Sequence, residues 1–200
     1  MDFRPEQPMH GRYAVSHDFL SAKAGNECAA ISKIINAFFG WEFNSAEMLV
    51  TGDEVYPIDY ANACPDVAVT SLHYYFPWAM SSLVKWSTFC LASGRRGRPH
   101  IDTTEWFQVA DNPDLSYGEK LGVYQSMADR YFERDKYWDF CATALPDIDQ
   151  IVLDWVSSAD FDNMLVETVV STYPQHEHEM FLAHFRGLIS LWVRDQQAAT

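Results

Sequence analysis

The residues of this chain that could do chemistry are acids and histidines on helical faces that should otherwise be apolar. Glu177 and His184 lie seven residues apart and share a sector with Met180, Phe181, Phe185, Leu188, Leu191 and Trp192 when projected at about 100° per residue. Asp66 and His73 border the face formed by Val69, Leu72, Phe76, Met80 and Leu83. Asp135 and Asp139 fall on the face of Leu121, Tyr124, Ala128, Tyr131 and Trp138, and His17 and Glu27 border that of the first helix. A helical interior that brings carboxylates and imidazoles together can hold iron, manganese or zinc with a position open for water, oxygen or substrate. Without a metal, the same pair types can act as general base and acid. The expected metal ligands are Glu177 and His184, joined by His73, Asp66 and Asp135. Against this stands the ordinary fate of a buried acid or histidine, which is to pair with a neighbouring Arg, Lys, Tyr or backbone group.

Two further groups suit ligand binding. Arg95, Arg96 and Arg98 make the one dense basic loop, and guanidinium forks match phosphate and carboxylate oxygens. Tyr74 and Trp78 belong to a run of rings, His73 to Trp78, whose members point in several directions around a helix, so some can line a pocket or an interface.

Familiar catalytic patterns are absent. There is no glycine-rich phosphate loop, no nucleophile elbow and no EF-hand loop. The stretch His176, Glu177, His178, Glu179 lacks the spacing of a zinc-protease helix, because Met180 and Leu182 stand where the second histidine is needed. The Glu-x-x-His pairs of di-iron bundles are missing too.

The elements that must position these groups read as helices. Residues 16–39 carry Ala24, Cys28, Ile31, Ile35 and Phe39 on one face, with Gly25 favouring a start near Ser21 and Gly40 as the stop. Asn44 to Glu47 has capping-box spacing and predicts a short helix to Gly52, followed by an irregular connection over 53–65. Asp66 opens a helix to about Ala92 that Pro77 must kink or divide. Asp102 to Glu105 and Ser116 to Glu119 are two more capping boxes, the latter opening one uninterrupted helix to about Leu145. Asp147, Asp160 and Pro174 introduce the last three helices. No segment predicts a strand. The expected fold is all-α: a single-domain helical bundle or orthogonal array of about six to eight helices over residues 13–200, preceded by a flexible arm over 1–12.

Composition bounds the function. The 200 residues are 48% hydrophobic, ample for a packed core. Lys and Arg number 14 against 28 Asp and Glu, a formal charge of −14 that opposes direct binding to nucleic acid or anionic membranes. No stretch approaches the roughly 20 apolar residues of a membrane span. The cysteines Cys28, Cys64, Cys90 and Cys141 have no metal-knuckle spacing and there is no secretory signal pattern, so a reducing cytoplasm is expected. Two readings follow. The first is an enzyme, metal-dependent in the manner of non-haem iron proteins, acting on a small organic substrate. The alternative is a non-catalytic acidic accessory, inhibitor or regulatory protein that meets a protein partner through its surface.

Overall fold

A computed structural model describes residues 6–9, 12–15, 21–62, 64–97 and 102–199. In chain order they form β1 (Glu6–Met9), β2 (Arg12–Val15), α1 (Ala22–Phe39), β3 (Ser45–Thr51), β4 (Glu54–Asn62), α2 (Val69–Leu72), a 3-10 turn (His73–Tyr75), α3 (Phe76–Ser93), α4 (Thr104–Ala110), α5 (Tyr117–Tyr131), α6 (Arg134–Ala144), α7 (Ile148–Val156), α8 (Ala159–Thr172), a second 3-10 turn (Gln175–Glu177) and α9 (His178–Ala199). The fold is the expected helical array. All helices but α2 exceed one turn, and the only sheets among the described residues are two hairpins. The chain divides into two compact units: Met1–Pro65 with Arg95–Trp138, and Asp66–Gly94 with Asp139–Thr200.

In the first unit, local rules fix α1. The Ser21 hydroxyl accepts from the Ala24 amide at the N-terminus, and Gly40 ends the helix at φ 70°, a left-handed conformation that needs no Cβ clearance. One stretch of α1 packs Ala24 and Ile31 against Val55 of β4, with Met48, Val50 and Leu121 around them. Farther along, Ala37 joins Trp106 of α4 and Met127, Ala128 and Tyr131 of α5 in a second cluster. Helix α5 begins on the predicted capping box, with the Ser116 side chain accepting from the Glu119 amide and the Glu119 carboxylate accepting from the Ser116 amide. At the start of α4 the Asp102 carboxylate instead accepts from the Thr104 amide, and Thr103 caps without a side-chain bond.

The helix expected over residues 44–52 is a strand. Ala46, Met48 and Val50 turn inward while Ser45, Glu47, Leu49 and Thr51 stay exposed, an alternation of period two that capping-box spacing does not override. The connection expected over 53–65 is mostly β4. Thr51 pairs with Glu54 across the two-residue turn Gly52 and Asp53, with Gly52 at φ 63° in the first central position. Within the arm expected over 1–12, β1 pairs antiparallel with β2.

The second unit is wholly helical among its described residues. The pattern opened by Asp66 is divided, as Pro77 requires, but the break falls at His73, and Pro77 occupies the first turn of α3, where its missing N–H costs nothing. Val152, Val156, Phe161, Leu165, Val169, Phe185, Leu188, Ile189 and Trp192 are buried along α7, α8 and α9. The helix expected from 117 to 145 is two helices, because Glu133 takes φ 50° between α5 and α6. That break resets the helical phase, so residues after 133 no longer share the face of Leu121 and Tyr124.

Candidate functional site

The structure brings together two of the expected ligands. In the second unit, His73 is 6% exposed, and its ring lies 6.1 Å from that of His184 on α9, centroid to centroid, and 5.5 Å from the stacked ring of Phe185. His73 Nε2 is 2.7 Å from the Thr70 carbonyl oxygen, which only accepts, so this nitrogen carries the proton. The backbone of His73 has φ 50° and ψ −120°, a region that favours glycine. Phe185 continues the ring contacts to Phe181 and Tyr173, and burial followed by the charge of Glu177 pushes the Tyr173 phenol up.

The other expected ligands are placed elsewhere. Glu177 lies in the second 3-10 turn, its nearest basic group being His176 Nε2 at 3.8 Å. Asp66 is exposed and occupied at the start of the helical segment. The Ser71 hydroxyl and the Ala68 amide both donate to it, holding its carboxyl below the usual range, with the Ser71 bond the larger cause. Asp135 has a side chain 94% exposed and sits beside Arg134, because the break at Glu133 rotates it away from the α5 face. Asp139 is exposed for the same reason. Glu27 accepts from the Tyr117 hydroxyl at 2.9 Å, and His17 lies outside the described residues. No group of three or more His, Cys, Asp or Glu among the described residues could hold a metal ion. Of the five expected ligands, His73 and His184 are the two whose rings lie beside each other. Helical periodicity assigned these residues to helix faces but carried no information on which of them would meet.

The basic loop also separates. Arg95 is turned inward within the first unit: Nη1 donates to the Tyr131 carbonyl at 2.9 Å and Nη2 to Glu42 Oε1 at 3.1 Å, with the guanidinium 4.8 Å from the Tyr131 ring centroid. The Tyr131 hydroxyl donates to the same Glu42 oxygen at 3.2 Å. Arg95 is thus spent on the protein's own carboxylate. Arg96 is exposed, and Arg98 lies outside the described residues. Tyr74 is buried and donates to Asp195 at 2.8 Å, so it anchors α9 and lines no surface, whereas Trp78 is 46% exposed on α3.

Polar residues of the second unit are likewise paired one with another. Ser81, buried on α3, donates to Asp149 of α7, and Lys85 one turn later donates to both oxygens of the same carboxylate at 2.7 and 2.6 Å. Burial opposes ionisation of Asp149, but the Lys85 and Ser81 hydrogen bonds outweigh it and hold the carboxyl below its usual range. Arg186 grips Asp162 with two bonds of 2.6 and 2.7 Å. Burial, followed by Glu27, pushes the Cys28 thiol up, which disfavours its thiolate.

The surface with the clearest unmet requirement is one that sequence reading missed. On β3 and β4 the inner residues pack on α1, while Leu49 and Tyr56 stand on the outer side, 58 and 50% exposed, and Ile58 and Tyr60 of β4 are 54 and 38% exposed. Leu49 and Tyr56 are cross-strand partners. Met48 pairs with Pro57 and Glu47 with Asp59, so Ile58 is the extra residue of a bulge. The bulge sets two carboxylates opposite each other, an unfavourable pairing, and neither has a hydrogen-bonding or ionic partner among the described residues. Neither strand pairs with a third among the described residues. The missed signal was Gly52-Asp53 between alternating segments, a hairpin turn pair.

Compared with protein-family models, curated proteins and solved structures, the chain matches none. No helix among the described residues is long and apolar enough to cross a membrane.

Proposed function

We propose that the protein works by binding a protein partner, with the outer face of β3 and β4 as its contact surface. One observation carries this reading: the cross-strand partners Leu49 and Tyr56, with Ile58 next to them at the bulge, stand exposed on a two-stranded hairpin whose opposite face is already packed. A lone hairpin is marginal in water, and an apolar patch of this kind is more often an interaction surface than a tolerated defect. The pairing of Arg95 with Glu42 and of Arg186 with Asp162 supports the same reading, since it commits these groups to the protein's own contacts.

The test is site-specific photo-crosslinking in cells. A benzophenone amino acid replacing Tyr56 should give one discrete adduct, and the same group at Gln150, exposed on α7, should not. Equal labelling at both positions, or none at Tyr56, would overturn the reading.

A second reading keeps imidazole chemistry: an enzyme in which His73 and His184 handle a proton on a small organic substrate. The observation favouring it is the strained, buried backbone of His73, since such conformations gather at functional sites. Iron, manganese or zinc would enter this reading only with ligands beyond the described residues. Elemental analysis of the native protein and of His184→Ala tests that version: stoichiometric metal present in the first and lost in the second supports it, and metal in neither removes it.

A further inference from the structure

The two free edges of the hairpin are not equivalent, and the difference selects a mode of binding. In a two-residue hairpin the residues flanking the turn exchange backbone hydrogen bonds, and the pairs alternate from there. Thr51 and Glu54 flank the turn, so Val50 with Val55 and Met48 with Pro57 are non-hydrogen-bonded pairs. Their backbone groups point away from the partner strand, to the free edges. On β4 the outward position at 57 is a proline with no N–H, and the bulged Ile58 follows it. Both features blunt an edge. On β3 the outward groups of Met48 and Val50 are intact, and the strand contains no proline.

Charge then specifies what fits. Residues 44–62 hold Glu47, Asp53, Glu54 and Asp59 and no Lys or Arg. Asp53 accepts from the Ser21 hydroxyl at 2.6 Å and lies 3.7 Å from Lys23, and the Tyr56 hydroxyl donates to Glu54 at 2.6 Å. Glu47 and Asp59 remain, opposite each other across the two strands. We infer that β3 accepts an extended segment of another polypeptide as a third strand, with Lys or Arg beside Glu47 and an apolar residue two positions on beside Leu49. Its alternate side chains then extend the inner row of Ala46, Met48 and Val50. Main-chain bonds to Met48 and Val50 provide the binding, and the acid pair provides the selectivity. This inference rests on the proposed binding role of the same hairpin.

The experiment uses the full chain and short capped Val- and Thr-rich peptides that carry one Lys or, as a control, one Glu, with an apolar residue two positions on. Amide hydrogen exchange is followed residue by residue. The Lys peptide should protect the amides of Met48 and Val50 and bind at least about tenfold more tightly than the Glu peptide. Replacing Glu47→Lys, an exposed position, should reverse that preference without altering the fold. Protection on the β4 side, equal binding of both peptides, or no protection of β3 would overturn the inference. So would protection of β3 without peptide in a sample that sedimentation shows to be dimeric, since the occupant would then be a second copy. A Tyr56 crosslink found together with no Lys-peptide binding would leave the interaction role standing and remove only the added strand.

Discussion

Arg95 and Glu42, fifty-three positions apart in sequence, meet with Nη2 3.1 Å from Oε1, and the arginine side chain is only 8% exposed. Removing one member of a buried pair strands the other without compensation. Arg95→Ala should therefore cost about 2–3 kcal/mol, whereas Arg96→Ala, on the exposed neighbour, should stay within about 0.5 kcal/mol. Urea unfolding of the two variants checks this, and equal midpoints would refute it.

His73 gives a prediction about backbone strain. Alanine and glycine at this site both lose the buried ring, but only glycine relaxes φ 50°, ψ −120°. His73→Gly should be more stable than His73→Ala by about 1–2 kcal/mol, the reverse of the order expected where the backbone is unstrained. Thermal unfolding of the pair decides it.

Gly52 tests the hairpin. A Cβ placed there meets nothing within 4 Å, so Gly52→Ala adds no clash, only the strain of φ 63°. A loss of about 1 kcal/mol is expected, confined to β3 and β4 and visible as faster amide exchange there with α5 unchanged.

Acid should loosen the α3–α7 and α8–α9 contacts. The carboxyls of Asp149 and Asp162 are held below their usual range, the first by Lys85 and Ser81 against the opposing effect of burial, the second by Arg186. A depressed native pKa stabilises the fold above the unfolded value, about 3.9, and that contribution fades as pH falls through the native one. Stability should decline below about pH 4, and Asp149→Asn with Asp162→Asn should flatten the decline. An unchanged acid limb in the double variant would show that other carboxyls control it.

The helical class was legible because punctuation in the sequence is local. Ser21 and Gly40 bound α1, Ser116 and Glu119 open α5, and Pro77 sits in the first turn of α3. The hairpin was not, since Asn44 to Glu47 satisfies a capping-box spacing while the alternation of Ala46, Met48 and Val50 gains its value only when α1 covers one face. The break at Glu133 had no marker at all, and with it went the placement of Asp135. Among the site residues, the place of His73 beside an apolar face was legible, but the burial of Tyr74 and the pairings were not. Tyr74 with Asp195 and Arg95 with Glu42 join residues so far apart that no sequence periodicity relates them.

The two compact units are interleaved along the chain: residues 66–94 interrupt the first, and 95–138 interrupt the second. Neither can therefore be completed during synthesis before part of the other has emerged. The first waits for α4 and α5, and the second waits for α7 to α9, with Tyr74 unable to reach Asp195 until α9 has emerged. Rates of folding in this molecule should thus be governed by the slow closure of long loops, whatever the speed with which individual helices form.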